Sequence, residues 1–248
     1  MKTLSTCLLI AISVLGLASL AAAQQGPRLN EIVRNDVSTD DHEFVEICAE
    51  PNTNLAGYWI VEIEGEAAGK GLIDKAIALT GTVGASGLYT IGMPLVTCAD
   101  QSDPLTIENG GVTILLVQGF TGAVGTDLDT NDDCVADVPF PGTIVDGVGM
   151  GMPSAGDCYT YYGVPGLGPD TGPGGTSDFD PAGVARCLDC TGTWGMICLD
   201  GTEGALVCFA SNPQGLYSVD GASPCARNLC GAVPVENTTW GAIKNTYK

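Results

Sequence analysis

Residues 58–64 read Tyr-Trp-Ile-Val-Glu-Ile-Glu, and this stretch decides the fold class. Trp59, Val61 and Ile63 occupy every second position, so an extended chain places them on one face. The two glutamates fall on the opposite face, and the alternation predicts a β-strand with one buried and one solvated face. Trp59 is therefore predicted to belong to the core and not to a ligand-binding surface.

Short apolar runs of this kind recur between residues 29 and 148, separated by Gly, Asn, Asp and Pro. Runs of this length with turn residues between them are typical of an all-β sandwich or barrel. The composition agrees, because 35 Gly and 14 Pro break helices and supply turns. Strands are predicted at residues 29–35, 42–49, 58–64, 73–79, 87–91, 112–120 and 143–148.

The N-terminus has the three parts of a secretory signal peptide. Lys2 supplies the positive charge, an apolar run extends over residues 7–20, and Ala21-Ala22-Ala23 precedes Gln24. Cleavage is predicted after Ala23. The alternative is a membrane anchor, but the apolar run is short against the roughly 20 residues that span a bilayer. No later segment is long and apolar enough to span, so we expect a mature chain without a membrane span, secreted or held at the cell surface.

Export to an oxidising compartment gives the cysteines a structural role. Cys7 lies in the signal peptide, and the remaining ten of the 11 cysteines are an even number that fits disulfides of open connectivity. A zinc site built on the Cys-Leu-Asp-Cys stretch at residues 187–190 is the alternative, and the oxidising setting favours disulfides over it. The candidate disulfide cysteines are Cys48, Cys98, Cys134, Cys158, Cys187, Cys190, Cys198, Cys208, Cys225 and Cys230.

The chain is strongly acidic, with 29 Asp and Glu against 9 Lys and Arg and a formal net charge of −20 at pH 7. Signal cleavage removes Lys2 and makes the mature chain more negative. Such a field repels the phosphates of nucleic acids and anionic lipid surfaces, and it attracts divalent cations. Nucleic acid is therefore excluded as a predicted partner.

The character of the sequence changes after residue 150. Gly- and Pro-rich loops follow, and six cysteines crowd into residues 187–230, where apolar residues are few. Regions with little core usually need disulfides for order. We therefore predict a signal peptide at 1–23, a sandwich core at 28–150, a cysteine-rich continuation at 151–231 that completes or decorates the sandwich, and a tail at 232–248.

Residues 127–137 read Asp-Leu-Asp-Thr-Asn-Asp-Asp-Cys-Val-Ala-Asp and form the most informative polar segment. Oxygen donors at alternate positions of a curled loop can converge on one hard cation, and clustered carboxylates repel each other unless something screens them. The segment lacks the central Gly and the final Glu of an EF-hand. It predicts a structural Ca²⁺ ion, and the alternative is a solvated acidic loop. The predicted ligands are Asp127, Asp129, Asn131, Asp133 and Asp137.

Several segments occur in an order that resembles a known family. The early ones are Leu29-Asn30-Glu31-Ile32, Glu43-Phe44-Val45-Glu46-Ile47 and Asn54-Leu55-Ala56-Gly57-Tyr58-Trp59-Ile60. They are similar to the opening strand, the next strand and the following turn of lamin tail domains of the secreted bacterial type. Later segments continue the resemblance at residues 87–91, 108–114, 126–137, 144–148 and 223–228.

The resemblance covers most of the mature chain, from residue 29 to residue 228. It implies an immunoglobulin-like β-sandwich with a disulfide-rich, loop-rich C-terminal region, a fold that many binding and adhesive modules share. It implies no single activity. Two departures stand out, since Cys134 occupies the place of a Gly in the family pattern and the additional cysteines of the last third have no counterpart in it.

His42 is the only histidine and limits the enzymes that the chain can form. A Ser-His-Asp or Cys-His device would have to use it, and no G-x-S-x-G motif is present. Zinc hydrolysis based on histidine needs two or three imidazoles. The abundant carboxylates single out no glycosidase pair.

The C-terminal tail brings basic residues back, and Trp240, Ile243 and Tyr247 recur in it at helical spacing. A sorting or docking element is one interpretation, and an amphipathic segment packed on the sandwich is the other. Altogether the sequence favours a secreted, non-enzymatic binding or structural module that contacts a protein, a polymer or a cell surface. The alternatives are a secreted hydrolase or its accessory domain, and a matrix protein that self-associates.

Overall fold

The computed structural model describes residues 26–35, 41–66, 69–168, 180–186, 189–197 and 222–228, and these are nearly all β. Their helical content is confined to short 3-10 turns, among them Pro153–Ala155 and Tyr161–Gly163. No helix among the described residues has the length and apolar character needed to cross a bilayer. The strands are β1 Arg28–Val33, β2 Phe44–Cys48, β3 Tyr58–Glu64, β4 Ile73–Ala78, β5 Leu88–Gly92, β6 Gln101–Ser102, β7 Val112–Gln118, β8 Thr143–Met150, β9 Gly166–Leu167, β10 Gly183–Arg186 and β11 Trp194–Ile197.

The strands form two sheets. The first sheet has the order β11-β10-β1-β2-β5-β6, and the second has the order β4-β3-β7-β8-β9. Neighbours are antiparallel except at the edge pairs β5–β6 and β8–β9, which are parallel. Both sheets are therefore mixed, and each ends in a two-residue edge strand.

The main core lies between the two sheets and gives the molecule a sandwich-like form. Ile47 and Ile91 of the first sheet belong to the same buried cluster as Ile60, Ile114 and Val148 of the second. Burial of aliphatic side chains from two facing sheets is the main source of stability in such an architecture.

Strand β3 spans the predicted residues, but the prediction of a solvated face is wrong. Ile60 joins the main core, whereas Val61 and Ile63 lie in a second cluster on the outer face of the second sheet. Glu62, which was expected to face solvent, is only 1% exposed. The reason is that Glu62 shares the face of Ile60, which points toward the first sheet. Later segments cover the outer face as well, where partly buried Trp59 packs against Phe120 with ring centroids 5.5 Å apart.

Strands β10 and β11 extend the first sheet beyond β1. Val184, Trp194 and Met196 enter the main core from these strands, and Ile197 enters a smaller cluster on the outer face of the same sheet. The expectation of little apolar mass in this region is therefore wrong for its described part. β10 pairs with β1, which lies about 150 residues earlier in the chain, and β11 pairs with β10.

Three disulfides connect distant parts of the chain, which confirms the structural role predicted for six of the cysteines. They are Cys48–Cys190, Cys98–Cys225 and Cys134–Cys158. Cys190 is thereby removed from the zinc alternative, because its sulfur is bonded to Cys48. Intramolecular disulfides are compatible with a protein outside the cytoplasm. Cys187, Cys198, Cys208 and Cys230 lie outside the described residues, as do the predicted signal peptide and the tail with Trp240, Ile243 and Tyr247.

Candidate functional site

A pocket of about 400 Å³ opens on the outer face of the first sheet. Its floor and walls are mostly apolar, and the polar residues of its lining are few. Concave apolar sites with a small number of polar groups are the usual form of a binding pocket. The lining consists of Val33, Asn35, His42, Phe44, Leu95, Val96, Thr97, Cys98, Ala222 and Pro224.

Three parts of the chain build this pocket. Val33 of β1 and Phe44 of β2 present their side chains on the outer face of the sheet, where they pack with Val96 in a buried cluster. The loop after β5 supplies one wall, and Leu95 in this loop is 52% exposed. The segment 222–228, called the strap from here on, supplies Ala222 and Pro224 to the lining and is tied to the loop by the Cys98–Cys225 disulfide.

His42 lies in the lining of the pocket beside a carboxylate. Its Nδ1 is 2.5 Å from Asp41 Oδ1, and its side chain is 54% exposed. A histidine beside a carboxylate is one part of the catalytic device that the hydrolase alternative requires. The described lining offers the Thr97 hydroxyl but no serine, and the Cys98 sulfur is bonded to Cys225.

The strap covers a buried polar cluster next to the pocket. Glu31 of β1 is fully buried, and its carboxyl oxygens lie 2.9 Å from the Ser223 N–H and 2.9 Å from Ser223 Oγ. Ser223 Oγ is also 2.7 Å from Asn228 Oδ1, and the Asn228 N–H donates to Asp189 Oδ1 at 2.9 Å. The strap is thus held to the sheet by polar contacts as well as by the disulfide.

Glu46 of β2 is the second buried carboxyl of this cluster. One of its oxygens accepts from Asn30 Nδ2 at 2.9 Å, and the other accepts from Thr90 Oγ1 at 3.0 Å and from the Cys225 N–H at 2.8 Å. Burial raises the pKa of Glu46 to about 7 against the opposing effect of these hydrogen bonds. Burial also raises the pKa of Glu31 to about 8, against hydrogen bonds from Ser223 and with a contribution from the Glu46 charge.

The acidic loop 127–137 uses its predicted calcium ligands to hold its own backbone. Asp127 Oδ1 accepts from the Asp129 N–H at 2.9 Å, and Asn131 Oδ1 accepts from the Asp133 N–H at 3.1 Å. Asp133 Oδ1 accepts from the Val135 N–H at 3.0 Å, and Asp137 Oδ2 accepts from the Thr130 N–H at 2.9 Å and from its hydroxyl at 2.6 Å.

Asp129 is the anchor of this loop. It is fully buried, and its Oδ2 accepts from the Cys134 N–H and from the Tyr161 hydroxyl, both at 2.9 Å. The Cys134–Cys158 disulfide fixes the same end of the loop. The loop does not bring three of its carboxylates within 4.8 Å of one another. The calcium ion therefore stays a prediction.

Among the described residues, Glu66, Asp157 and Asp180 form the one group of three carboxylates whose oxygens do lie within 4.8 Å of one another. One of them lies beside a buried cation, because Arg34 is 0% exposed and its Nη2 is 3.8 Å from Asp180 Oδ1. Arg34 Nε donates to the Pro181 carbonyl at 2.7 Å. Burial lowers the pKa of Arg34 to about 10, while Asp180 opposes this shift. Asp180 and Glu66 of this cluster thus contribute negative charge that compensates a buried arginine.

Sequence reasoning missed the pocket and the buried carboxyls beside it. Glu31 and Glu46 were noted in the motifs but carried no predicted role, and nothing local in β1 or β2 indicates that a segment some 190 residues later will cover them. The available signal was the repeated polar character of Asn30, Glu31 and Glu46 within strands that are otherwise apolar.

Comparison of the chain with protein-family models, with curated proteins and with solved structures returns no match. The class that the fold and the site define is a disulfide-linked, nearly all-β protein of two sheets with an apolar pocket on one outer face.

Proposed function

We propose that the protein is an exported, non-enzymatic binding module that recognises a protein, a polymer or a cell surface through the pocket beside the strap. The pocket is the single observation that carries this proposal. Removal of its apolar walls from water would supply affinity, and the polar groups of Asn35, His42 and Thr97 would orient the bound group. The predicted signal peptide and the three disulfides support a place outside the cytoplasm.

We also propose that the sandwich is immunoglobulin-like and of the lamin tail type. The support is a convergence of motif residues that stand far apart in the sequence. Asn30 and Glu46 come from the first two motifs and are hydrogen-bonded to each other, and Ser223 and Asn228 from the last motif contact Glu31 and the Asn30 carbonyl. Such a shared cluster gives one physical reason for these motifs to occur together.

The test uses two exposed apolar residues, one at the pocket and one remote from it. Leu95 is 52% exposed and lines the pocket, whereas Val124 is 59% exposed and does not. The labelled protein from residue 24 to residue 248 is titrated against envelope and extracellular fractions of the source cells. We expect Leu95→Asp to weaken binding at least tenfold, that is by about 1.4 kcal/mol, and Val124→Asp to bind as the wild type does.

Equal binding by both variants would assign recognition to another surface. A truncation before Asn237 tests the tail, since loss of binding on truncation alone would move recognition there. Sedimentation of the protein by itself tests the matrix alternative, because a self-associating protein forms concentration-dependent oligomers without any partner.

The structural calcium ion at the acidic loop is a further part of the proposal. The support is the density of oxygen donors in residues 127–137. A ligand that binds only the native state raises the melting temperature. We expect Ca²⁺ to raise the melting temperature and a chelator to reverse the rise, and Asp127→Asn to abolish both effects. A melting temperature that Ca²⁺ and the chelator leave unchanged would contradict the proposed calcium ion.

The His42–Asp41 pair favours one second candidate, a hydrolase that works in the same pocket. A panel of ester, phosphate and glycoside chromogenic substrates tests it. Turnover that disappears in His42→Gln would replace the binding proposal with the enzyme, and turnover that survives in this variant would come from a contaminant.

A further inference from the structure

The strap is held on the first sheet by hydrogen bonds to acidic side chains. The Ser223 N–H contacts Glu31, the Cys225 N–H contacts Glu46, and the Asn228 N–H contacts Asp189. The Cys98–Cys225 disulfide adds one covalent tether. The attachment thus differs along the strap. The disulfide holds the middle of the strap covalently, whereas hydrogen bonds to Glu31 hold its beginning.

The contacts of one hydroxyl indicate where a proton sits. Ser223 Oγ lies 2.9 Å from Glu31 Oε2 and 2.7 Å from Asn228 Oδ1. Asn228 Nδ2 donates to the Asn30 carbonyl at 3.3 Å, which fixes the amide with its oxygen toward the serine. A serine hydroxyl has a single hydrogen. When it donates to Asn228, the contact with Glu31 requires a proton on the Glu31 carboxyl.

The charges around Glu31 favour the same protonated state. Glu31 pairs with Glu46 across β1 and β2 and with Ala185 across β1 and β10. The other carboxylate that faces it is Asp189, from the turn after β10. The charged groups near its neighbours are Arg227, whose Nε is 4.0 Å from Asp189 Oδ2, and Asp100, which accepts from the Thr90 N–H.

No cation of the described residues compensates a charge on Glu31 from within the cluster. Arg227 is 80% exposed and contacts Asp189 from the solvent side. An ionised Glu31 would be a fully buried negative charge next to two other carboxylates, and this arrangement is costly without a buried cation. Lifting the strap exposes the carboxyl to water and removes the cost.

We propose that the strap is a pH-controlled cover, closed while Glu31 is protonated and released when Glu31 ionises, with the Cys98–Cys225 disulfide limiting its movement. Ala222 and Pro224 of the strap line the pocket, so release changes one pocket wall. That consequence for binding rests on the proposed function, whereas the release of the strap does not.

The sign of the pH dependence follows from the two states of the carboxyl. Burial raises the pKa of Glu31 to about 8 in the closed form, and an open strap returns it to its ordinary range near 4.5. Opening therefore releases a proton between these values, and the open fraction rises about tenfold per pH unit in this window. Acid closes the strap and mild alkali opens it.

Hydrogen exchange measures this opening directly. The oxidised protein from residue 24 to residue 248 is labelled between pH 5 and pH 9, and exchange is corrected for the intrinsic rate. We expect the protection of the Ser223 amide, which donates to Glu31, to fall about tenfold per pH unit up to about pH 8, while the β7 amides keep theirs.

Glu31→Gln is the decisive variant, because a neutral amide can donate to Ser223 Oγ as the protonated carboxyl does. We expect its Ser223 amide to stay protected at every pH, whereas the exposed control Glu50→Gln keeps the wild-type profile. A strap that is open at every pH in Glu31→Gln would show that Glu31 acts as an ionised acceptor and would overturn the proposal.

The wild-type profile alone also decides the question if Glu31→Gln fails to fold, since flat or rising protection with pH would overturn the proposal. An apolar fluorescent dye added at pH 5 and pH 8.5 reports on the pocket separately. If the strap opens with pH but dye binding does not change, the strap is still a pH-controlled cover, and the pocket is disfavoured as the binding site.

Discussion

Arg186 connects the two sheets at one end of the sandwich. Its Nη2 lies 3.0 and 2.9 Å from the two carboxylate oxygens of Asp146 in β8, its Nε donates to the Leu29 carbonyl, and its guanidinium lies 4.3 Å from the centre of the Trp194 ring. A planar, forked cation is needed to make these contacts together. The residue is therefore specified as arginine and not simply as a positive charge.

We predict that Arg186→Lys lowers the free energy of unfolding by about 2 kcal/mol, because lysine keeps the charge but loses the fork and the stacking. Urea titration at neutral pH measures the change. Arg28→Lys is the matched control at an exposed position of β1, and we expect a change within about 0.5 kcal/mol there. Equal effects of the two substitutions would show that the additional contacts of the guanidinium contribute nothing.

Strand prediction from the sequence worked where a local pattern was strong. All seven predicted strands are present. β3 has both predicted ends, β4, β7 and β8 begin where predicted, and the remaining ends shift by one or two residues. The strands β6, β9, β10 and β11 were missed because they are two to four residues long and owe their conformation to a neighbour elsewhere in the chain. Residues 183–186 form a strand because they pair with β1, and no alternation of apolar and polar residues within the segment predicts it.

Strand β8 passes very close to the backbone of Tyr159 at Gly149. A Cβ built on Gly149 would lie 1.4 Å from the Tyr159 carbonyl oxygen, and a backbone atom cannot move aside as a flexible side chain can. We predict that Gly149→Ala costs at least about 3 kcal/mol of unfolding free energy or prevents folding.

Gly84→Ala is the matched control for this prediction, because nothing lies within 4 Å of a Cβ at that position. We expect a change of less than about 1 kcal/mol there. Thermal melts of both variants check the pair, and a stable Gly149→Ala protein would mean that β8 and the Tyr159 backbone lie further apart.

At the scale of the whole molecule, the disulfides differ in access to solvent. The Cys98–Cys225 pair has no buried member, since Cys98 is exposed and Cys225 half-buried. Each of the other pairs has one, because Cys48 is 0% and Cys158 is 2% exposed beside half-buried Cys190 and exposed Cys134. Reduction requires attack on an accessible sulfur. We predict that a phosphine titration opens Cys98–Cys225 first, as measured by alkylation and peptide mapping of the partly reduced protein.

The same map before reduction is expected to contain the peptide pairs Cys48–Cys190, Cys98–Cys225 and Cys134–Cys158. Different pairs would contradict the arrangement of the strap. Reduction of Cys48–Cys190 before Cys98–Cys225 would show that the first sheet opens locally more readily than the strap does.

The sequence predicted the class of fold and the involvement of cysteines, but not the pocket. The reason is the range of the interactions, because Val33, Phe44 and Val96 meet Ala222 and Pro224 only after the strap returns to the first sheet. A carboxyl such as Glu46 has the periodicity of a solvated strand residue, and its burial depends on Cys225, which is 179 positions away. Patterns within one strand contain no information about such a cover.

The pairing of β1 with β10 has a consequence for the order of folding. Glu31 finds its neighbour Ala185 only when nearly two hundred residues have been made, and the Cys48–Cys190 bond closes a span of 142 positions. A chain that emerges with its N-terminus first therefore carries an unfinished first sheet through most of its synthesis or translocation. Contacts of this sequence separation fold slowly and leave strand edges open to aggregation. The late segments are in this sense the closing step of assembly, and a nascent chain that stalls before residue 190 would need a chaperone to protect the exposed edge of β1.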